Sequence, residues 1–587
     1  MSDLPRHKSG VGPTRRNALS LLGLGGVAAC APTVERTLSG DVAASGTFDH
    51  GVASGDPMAT SVILWTRVTP NESGVVPVVW EIDTDADFSN SISGEIEARA
   101  AKDFTVKVEA TGLQAGTVYH YRFKTEDDVS VTAQTKTLPE GSPEQVRFAV
   151  VSCANYEHGF FNVYDLIAQK QKSAGGDHYD AMLHLGDYYY EYGADVYDAP
   201  DKPEGRIHEP AHEIITLDDY RTRHAQYRRD PNLQAATAEM PMIAIWDDHE
   251  TANDSWRGGA QNHNEDEGEW ETRKQAALRA YYEWMPVREP VPGRAREAFY
   301  RSFQFGDLLT LVGVETRLTA RAEPLIIEEF VEEIIADVDA FRDQYLNDPS
   351  REMLGKEQQD YIVETFAQSK ADGVSWRMLA NQVILGRLLT PDFTPYVTEE
   401  ATTAIEKDWP GIHDFLTLSK YNLPFYPDSW DGYPFARERF FEALDDAGVN
   451  DVLVVTGDAH EFWANRLTRD DGTHMGAEFV TSSVSSKTLI AYLGDATAQH
   501  NLLLTRENDD ARYYNALHNG FVEVELGRKS GKITMHAIDS VNTRDYGSFR
   551  AASFSVKPRR KDGKETLRIG APRGLGLAQR ALFAGLG

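Results

Sequence analysis

Four apolar runs in the sequence end on side chains that commonly bind metal ions. Runs of this kind are typical of buried strands in a parallel sheet. Open α/β folds bind their ligands at the carboxyl ends of such strands. The polar residues that follow the four runs are Cys153 with Asn155, Asp187 with Tyr190, Asp247 and Asp248 with His249, and Asp458 with His460. The sequence therefore predicts a metal site where four strand ends meet.

The residue types at this site indicate two different ions. Carboxylate oxygens suit calcium, magnesium or manganese, whereas thiolate and imidazole suit zinc or iron. Tyr190 favours iron, because a phenol with an ordinary pKa of about 10 binds well at neutral pH only beside a strong Lewis acid such as ferric iron. Two close cations that share a carboxylate can hold both ends of an in-line phosphoryl displacement. We expect iron at Cys153, Tyr190 and His460, and a harder ion at Asp248 and Asp458, with Asp187 as the bridge.

Composition limits the class of protein. The chain has 587 residues, of which 41% are hydrophobic and 26% charged, so it can form two or three globular domains. Its formal net charge of −32 argues against binding of a nucleic-acid backbone through a basic surface. Cys30 and Cys153 are the two cysteines, so no internal disulfide framework is expected.

Residues 1–30 are predicted to be an export signal. Arg15 and Arg16 precede a short apolar stretch, which resembles a twin-arginine signal peptide. Residues 27–30 resemble a lipoprotein cleavage box, so we expect a lipid anchor at Cys30; the alternative is ordinary cleavage nearby, which would discard this cysteine. No later run is long and apolar enough for a transmembrane helix. The signal therefore predicts a protein that engages the export machinery and is periplasmic or extracellular.

Two domains and a tail are predicted after the signal. Residues 46–139 contain short alternating strands, and Tyr119 lies in a segment that resembles fibronectin type III modules, so we expect a β-sandwich. Residues 146–541 alternate strands with helices, which indicates α/β layers. Residues 542–587 are basic and rich in glycine, and they are expected to dock as a short helix or to fray. The predicted helices of the second domain are 161–172, 273–284, 356–369 and 436–447.

The four strand-end motifs together resemble those of the PhoD-like alkaline phosphatases, a branch of the calcineurin-like metallophosphoesterases. The similarity extends to residues 48–57 and 61–67, and it covers about residues 50–541 in the expected order. It implies an α/β metallophosphoesterase sandwich, with two mixed sheets flanked by helices and an N-terminal all-β, fibronectin type III-like domain. It also implies a ferric ion (Fe3+) with calcium (Ca2+), and hydrolysis of phosphate monoesters or diesters.

Metal ligands can be assigned from this resemblance. Asn253 matches a contact to phosphate or to a second calcium, and we assign it to the metal. Glu315 stands where a shorter aspartate is more typical, so this strand end is expected to be positioned differently. The residues that match the family's iron positions are Cys153, Asp187, Tyr190 and His460, and those that share Asp187 with calcium are Asp248 and Asp458.

Two catalytic residues are implied in the same way. His249 matches a histidine that lies beside the scissile ester, and Asn155 matches a contact to phosphate or to a second calcium. The favoured function is phosphoester hydrolysis by attack of a metal-activated hydroxide on phosphorus. The alternatives are a phospholipase D-like phosphodiesterase on the same scaffold and a non-catalytic extracellular protein that binds metals structurally. Structural sites tend to be closed by protein ligands, whereas the polar residues here predict an open centre. The acidic, amphipathic residues 328–347 are expected to pack on the surface.

Overall fold

The structure, a computed structural model, describes residues 44–197, 199, 202–406, 411–493, 497–561 and 563–574. The signal predicted for residues 1–30, including Arg15, Arg16 and Cys30, lies outside the described residues. None of the helices described combines the length and the apolarity that crossing a bilayer requires.

Strands make up most of the regular structure, and they are numbered here along the chain. They are β1 (Gly46–Thr47), β2 (Val52–Gly55), β3 (Ser61–Arg67), β4 (Thr69–Pro70), β5 (Val76–Asp83), β6 (Ile92–Ala98), β7 (Thr105–Thr111), β8 (Val118–Lys124), β9 (Ala133–Lys136), β10 (Gln145–Val151), β11 (Ala181–His184), β12 (Met242–Ala244), β13 (Arg301–Phe305), β14 (Leu309–Gly313), β15 (Trp376–Asn381), β16 (Val452–Thr456), β17 (Phe462–Thr468), β18 (His474–Val480), β19 (Ala511–Asn515), β20 (Gly520–Gly527), β21 (Gly531–Ile538), β22 (Ser548–Lys561) and β23 (Lys564–Ile569).

Helices connect many of these strands. They are α1 (Asn162–Ser173), α2 (Leu217–Arg228), α3 (Pro231–Thr237), α4 (Trp270–Trp284), α5 (Val331–Ala336), α6 (Val338–Phe341), α7 (Lys356–Ala371), α8 (Glu399–Glu406), α9 (Ile412–Leu418), α10 (Pro434–Asp446), α11 (Ile490–Leu493) and α12 (Thr497–Glu507). The four helices predicted from the sequence are present as α1, α4, α7 and α10. Short 3₁₀ helices cover Ala100–Lys102, Glu265–Glu267, Ile327–Phe330, Ser419–Tyr421 and Trp430–Gly432, and a π-helical turn covers Arg342–Leu346.

Two large mixed sheets form the body of the protein. The ten-stranded sheet has the order β23-β22-β21-β20-β10-β11-β12-β2-β3-β7, and the seven-stranded sheet has the order β13-β14-β15-β16-β18-β17-β19. In the first sheet β10, β11 and β12 are parallel neighbours, and in the second β14, β15, β16 and β18 are. The remaining strands form a four-stranded sheet, β6-β5-β8-β9, and the pair β1-β4.

The two large sheets pack against each other through a fully buried core. Phe148, Leu183 and Ile243 project from the ten-stranded sheet, and Leu311 and Met378 project from the seven-stranded sheet. Alternate residues of the same strands face outward and are covered by α1–α4 on one side and by α7 and α10 on the other. The apolar runs are therefore buried on both faces, as parallel strands between helix layers are. The prediction of two mixed sheets flanked by helices is confirmed.

The first part of the chain is an all-β sandwich, as predicted. Its four-stranded sheet packs against β2, β3 and β7 through a separate apolar cluster. The Tyr119 hydroxyl accepts a hydrogen bond at 2.8 Å from the backbone N–H of Gln114, the contact of a tyrosine corner. Because β2 pairs in parallel with β12 through Gly55 and Met242, the ten-stranded sheet runs through both predicted domains.

The predicted tail differs from the structure. Two strands of the ten-stranded sheet, β22 and β23, lie within the residues for which the sequence predicts a short helix or a frayed end. Ala552, Phe554 and Val556 alternate along β22 and are buried in the core between the large sheets. This period of two is the pattern of a half-buried strand, and the many basic residues around it conceal the pattern. Residues 575–587 of the predicted tail lie outside the described residues.

Candidate metal centre

The predicted site residues follow strands of both large sheets. Cys153 follows β10, Asp187 follows β11 and Asp248 follows β12 in the ten-stranded sheet, whereas Asp458 and His460 follow β16 in the seven-stranded sheet. The site therefore lies where the carboxyl ends of parallel strands from the two sheets meet. This is the position at which α/β sheets bind ligands.

The ligand atoms form three overlapping clusters, within each of which all the atoms lie within 4.8 Å of one another. The first comprises Cys153, Asp187 and His460; the second comprises Asp187, Asp248 and His249; the third comprises Asp187, Asp247, Asp248 and Asp458. Asp187 belongs to all three clusters. Its position between a thiol–imidazole set and a carboxylate set is that of a bridging ligand.

Tyr190 reaches the first cluster from the loop after β11. Its hydroxyl oxygen lies 3.2 Å from Asp187 Oδ2 and 3.0 Å from His460 Nε2. The Ser486 hydroxyl donates to the same oxygen at 2.8 Å. The side chain is fully buried, so the phenol, the thiol of Cys153 and the imidazole of His460 surround one side of Asp187.

Strained backbone brings these side chains together. Positive φ angles occur at Cys153 (61°), Asp187 (51°), Asp458 (64°) and His460 (60°). For residues other than glycine this conformation costs about 1–3 kcal/mol each, and it persists only where surrounding structure enforces it. The preceding Gly186 is needed for space, because a Cβ atom there would lie 2.4 Å from the Cβ atom of Asp247.

Burial disfavours the ionised forms of several of these groups. Burial, together with the negative charge of Asp187, raises the pKa of Cys153 and of Tyr190 well above their ordinary values. Burial also raises the pKa of Asp187 and of Asp458 well above the usual range of a carboxyl group. Ionised forms of these residues therefore require a compensating positive charge in the cluster.

Arg317 supplies one such charge, and the sequence did not assign it a role. The side chain is fully buried. Burial alone would raise the pKa of Asp248, but the charges of Arg317 and His249 lower it below its usual value. The guanidinium contacts Asp247 and lies 2.6 Å from Asp428 Oδ2, 3.3 Å from Asp458 Oδ1 and 3.6 Å from Asp248 Oδ1.

Two buried glutamates hold the loops that carry the site. Glu250 accepts hydrogen bonds from the backbone N–H groups of Asp187 at 3.1 Å and Asp247 at 2.8 Å, and so ties two strand ends together. Glu315 accepts from the backbone N–H of Arg317 at 2.8 Å and from Trp246 Nε1 at 3.2 Å. Glu315 thus acts on the loop that carries Arg317 and makes no hydrogen bond to the residues of the three clusters in the described structure.

His249 is paired with a carboxylate. Its Nδ1 lies 2.7 Å from Glu191 Oε2, and both side chains are buried. Glu191 Oε1 also accepts from the backbone N–H of Asn253 at 2.7 Å and from Asn262 Nδ2 at 2.8 Å. Burial alone would lower the pKa of His249, but the charges of Asp248, Glu191 and Asp187 raise it well above its ordinary value. The imidazole can therefore carry a proton beside Asp187 and Asp248.

The two predicted asparagines differ in their surroundings. Asn155 is fully buried, and its Oδ1 accepts from the backbone N–H of Glu157 at 3.0 Å, while its Nδ2 has no hydrogen-bond partner among the described residues. Asn253 is only partly buried, and its Nδ2 donates to Gln261 Oε1 at 3.0 Å. Asn155, two residues after Cys153, therefore has a buried donor without a partner in the described structure, whereas Asn253 contacts Glu191 and Gln261.

The donor set fits metal ions. Asp187 Oδ1 and Asp247 Oδ2 are buried and have no hydrogen-bond partner among the described residues. Buried polar atoms without a hydrogen-bond partner are rare in proteins unless water or an ion binds them. One side of Asp187 offers sulfur, phenol and imidazole donors, which suit a transition metal such as iron or zinc, and the other offers carboxylate oxygens, which suit calcium, magnesium or manganese.

Comparisons with known proteins identify the family to which the chain belongs. Residues 148–535 match the family model of the PhoD-like phosphatases, and residues 33–139 match the model of the N-terminal domain of these proteins. The chain is 35% identical over 467 residues to alkaline phosphatase D of Bacillus subtilis (strain 168), which covers 75% of this chain and 69% of that protein. A solved structure described as that of PhoD superposes with a TM-score of 0.72 at 29% identity, covering 94% of this chain and 98% of the other.

The family model, the relative and the solved structure each cover most of the chain, and the clusters described above lie within the matched region. The chain therefore belongs to the PhoD-like phosphatase family and is a hydrolase of phosphoric esters.

Proposed function

We propose that the protein hydrolyses phosphoesters at a centre that holds iron and calcium on the two sides of Asp187. The observation that carries this proposal is the membership of Asp187 in both the thiol–imidazole cluster and the carboxylate cluster. The proposed iron ligands are Cys153, Asp187, Tyr190 and His460. The proposed calcium ligands are Asp187, Asp248 and Asp458, which lie in one cluster, together with Asn253, which is proposed from the family resemblance.

When bound, two such cations stabilise developing negative charge on phosphoryl oxygens and lower the pKa of water. The chain itself supplies a proton donor. His249 is held through Nδ1 by Glu191, which leaves Nε2 to donate to the leaving oxygen. Asn155 Nδ2 is a buried donor without a partner in the described structure, and we propose that it donates to a phosphate oxygen. Both interactions gain strength as charge develops on oxygen.

Phosphate monoesters and phosphate diesters are the two candidate substrate classes. A chromogenic phosphomonoester and the matching diester are incubated with the holoenzyme, with and without a calcium chelator. We expect chelator-sensitive hydrolysis of at least one of them. A strong preference for the diester favours the phospholipase D-like alternative. If neither ester is hydrolysed by protein that contains both metals, the proposal that these two metals catalyse the hydrolysis is wrong.

We also propose that the chain is exported. This proposal rests on Arg15 and Arg16 before a short apolar stretch, and on Cys30 at the end of a lipoprotein-like box. Replacing both arginines by lysine is expected to retain the precursor inside the cell, as detected by fractionation. Cys30→Ala is expected to release the mature protein from the membrane. A wild-type protein found in the soluble exported fraction would contradict the lipid anchor but not export.

A further inference from the structure

An apolar cavity of about 430 Å³ lies between α8, α9, α11, α12 and the loop that precedes α8. Its volume is in the range of small-molecule sites, about 300–1,000 Å³. Tyr396 lines the cavity and is 39% exposed, so the cavity reaches the surface. Among the lining residues are Phe393, Val397, Leu416, Phe425, Leu489 and Leu503.

Residues that line the cavity pack against the loop that carries Asp458 and His460. Ala459, between Asp458 and His460, packs in the same apolar cluster as Phe393 and Leu503. Leu489 lies two residues after Lys487, whose carbonyl oxygen is 3.2 Å from His460 Nδ1. The cavity is thus continuous in packing with the loop after β16.

A second wall has a similar connection. Phe425 precedes Tyr426, and the Tyr426 hydroxyl donates to Glu461 Oε2 at 2.6 Å. Glu461 directly follows His460 in the chain. Two separate segments that line the cavity are therefore fixed to the residues around His460, which places the cavity on the His460 side of the centre.

Most of the residues that line the cavity are apolar, which favours an uncharged, flexible ligand. Glu328 is the charged residue among those that line the cavity in the described structure, and the chain as a whole has a net charge of −32. A second anionic group of a substrate would be repelled here. A nucleoside would need several hydrogen-bond partners, because buried polar groups without them are costly. An alkyl chain needs none and gains free energy from each methylene that it buries.

We propose that this cavity binds the alkyl or acyl chain of an amphiphilic phosphoester whose phosphate lies at the metal centre. The inference rests on the proposed function and defines its substrate class. The exposed apolar side chain of Ile490, between the lining residues Leu489 and Leu493, extends the apolar surface at this place. Chain length of the ester therefore controls affinity.

The test compares butyl, octyl and dodecyl phosphate as substrates of the holoenzyme, each below the concentration at which it forms micelles. We expect KM to fall by up to about fourfold for each added methylene until the cavity is filled. Val397→Trp fills part of the cavity and is expected to lower the ratio of kcat/KM for dodecyl over butyl phosphate by about tenfold or more. Val291→Trp is the matched control, because Val291 is 67% exposed and does not line the cavity. If Val397→Trp does not fold, Leu416→Trp takes its place.

Binding of dodecylphosphonate and butylphosphonate, measured by titration calorimetry, separates this proposal from the proposed function. If dodecylphosphonate binds more tightly than butylphosphonate and Val397→Trp abolishes this difference, the result supports binding of the alkyl chain in the cavity, even if no ester is hydrolysed. Hydrolysis without any preference for chain length would refute binding of the alkyl chain in the cavity, while the proposed function stands. A preference that both tryptophan variants change equally would refute it as well. Equal binding of the two phosphonates would also overturn it.

Discussion

Glu191→Gln tests how the chain positions its proton donor. The substitution keeps the shape of the side chain and removes its charge. In the wild type, Oε2 pairs with His249 Nδ1 at 2.7 Å while Oε1 accepts from Asn253 and Asn262. A glutamine amide has one acceptor oxygen. If that oxygen faces His249, the amide N–H₂ meets the two donors; if it faces the donors, the N–H₂ meets Nδ1.

The expected loss of rate follows from the strength of the buried, charge-assisted hydrogen bond between Glu191 and His249. A hydrogen bond to a charged group contributes about 1.5–3 kcal/mol, which corresponds to about a 10- to 150-fold change in rate if the bond strengthens the transition state alone. Since Glu191 is fully buried, solvent cannot replace the lost charge. We therefore expect kcat on an alkyl phosphate to fall by about 10- to 150-fold, with little change in KM.

The assay measures kcat and KM for an alkyl phosphate and a nitrophenyl phosphate, together with iron and calcium content. The loss should be much smaller for nitrophenyl phosphate, whose leaving group needs little protonation. Glu523→Gln is the matched control, because Glu523 also faces a histidine, with Oε2 3.3 Å from His178 Nε2, on β20. Unchanged kcat in Glu191→Gln would refute the positioning role. Equal losses on both esters, or loss of metal, would show that Glu191 acts on the centre rather than on proton transfer.

Three further outcomes follow from the structure. His249→Ala is expected to lower kcat on an alkyl phosphate by about 10²- to 10⁴-fold with metal content intact; a loss of metal would instead make His249 a structural residue. If Cys153 and Tyr190 bind ferric iron, the holoenzyme should be coloured by ligand-to-metal charge transfer, and Cys153→Ser should remove both iron and colour while circular dichroism stays unchanged. A colourless, active wild-type enzyme that contains only zinc would contradict this. Burial lowers the pKa of His224 from 6.5 to about 3, so the unfolded chain binds an extra proton at this residue between these pH values, and His224 alone contributes a fall of about 1.4 kcal/mol per pH unit in the free energy of unfolding below about pH 6.5. Denaturant titrations of His224→Phe should show a shallower decline, and identical slopes would count against the assignment.

The parts of the fold that the sequence predicts are those with strong local patterns. The apolar runs of β10, β11, β12 and β16 end where the polar motifs begin, so both the strands and the residues at their ends were recognisable. The predicted ligands Cys153, Asp187, Asp248, Asp458 and His460 come together in the structure because parallel strands place their carboxyl ends on one edge. Strand β22 was missed because its alternation is masked by lysine and arginine on the exposed face.

The residues that were missed act through contacts between distant segments. Glu191 follows Tyr190 directly in the sequence, but its pairing with His249 spans 58 positions. Asp428 lies in a loop without any recognisable motif, and it reaches the site only because Arg317 contacts it 111 positions away. Glu250 directly follows His249 in the sequence, yet its role in tying two strand ends depends on backbone N–H groups whose direction the residue types do not specify.

Buried charge links the chemistry of the centre to the stability of the fold. The third cluster brings four carboxylates together, and among the described residues Arg317 and His249 each supply one compensating charge. Burying ions costs several kcal/mol each unless opposite charge compensates. The carboxylates must therefore keep protons, as the raised pKa values of Asp187 and Asp458 indicate, or bind cations. Cations that bind only the folded chain stabilise it by mass action. The ions that we propose for catalysis would then also favour the folded state, and an export route for folded proteins, as a twin-arginine signal implies, would suit a chain that binds its metals before it leaves the cell.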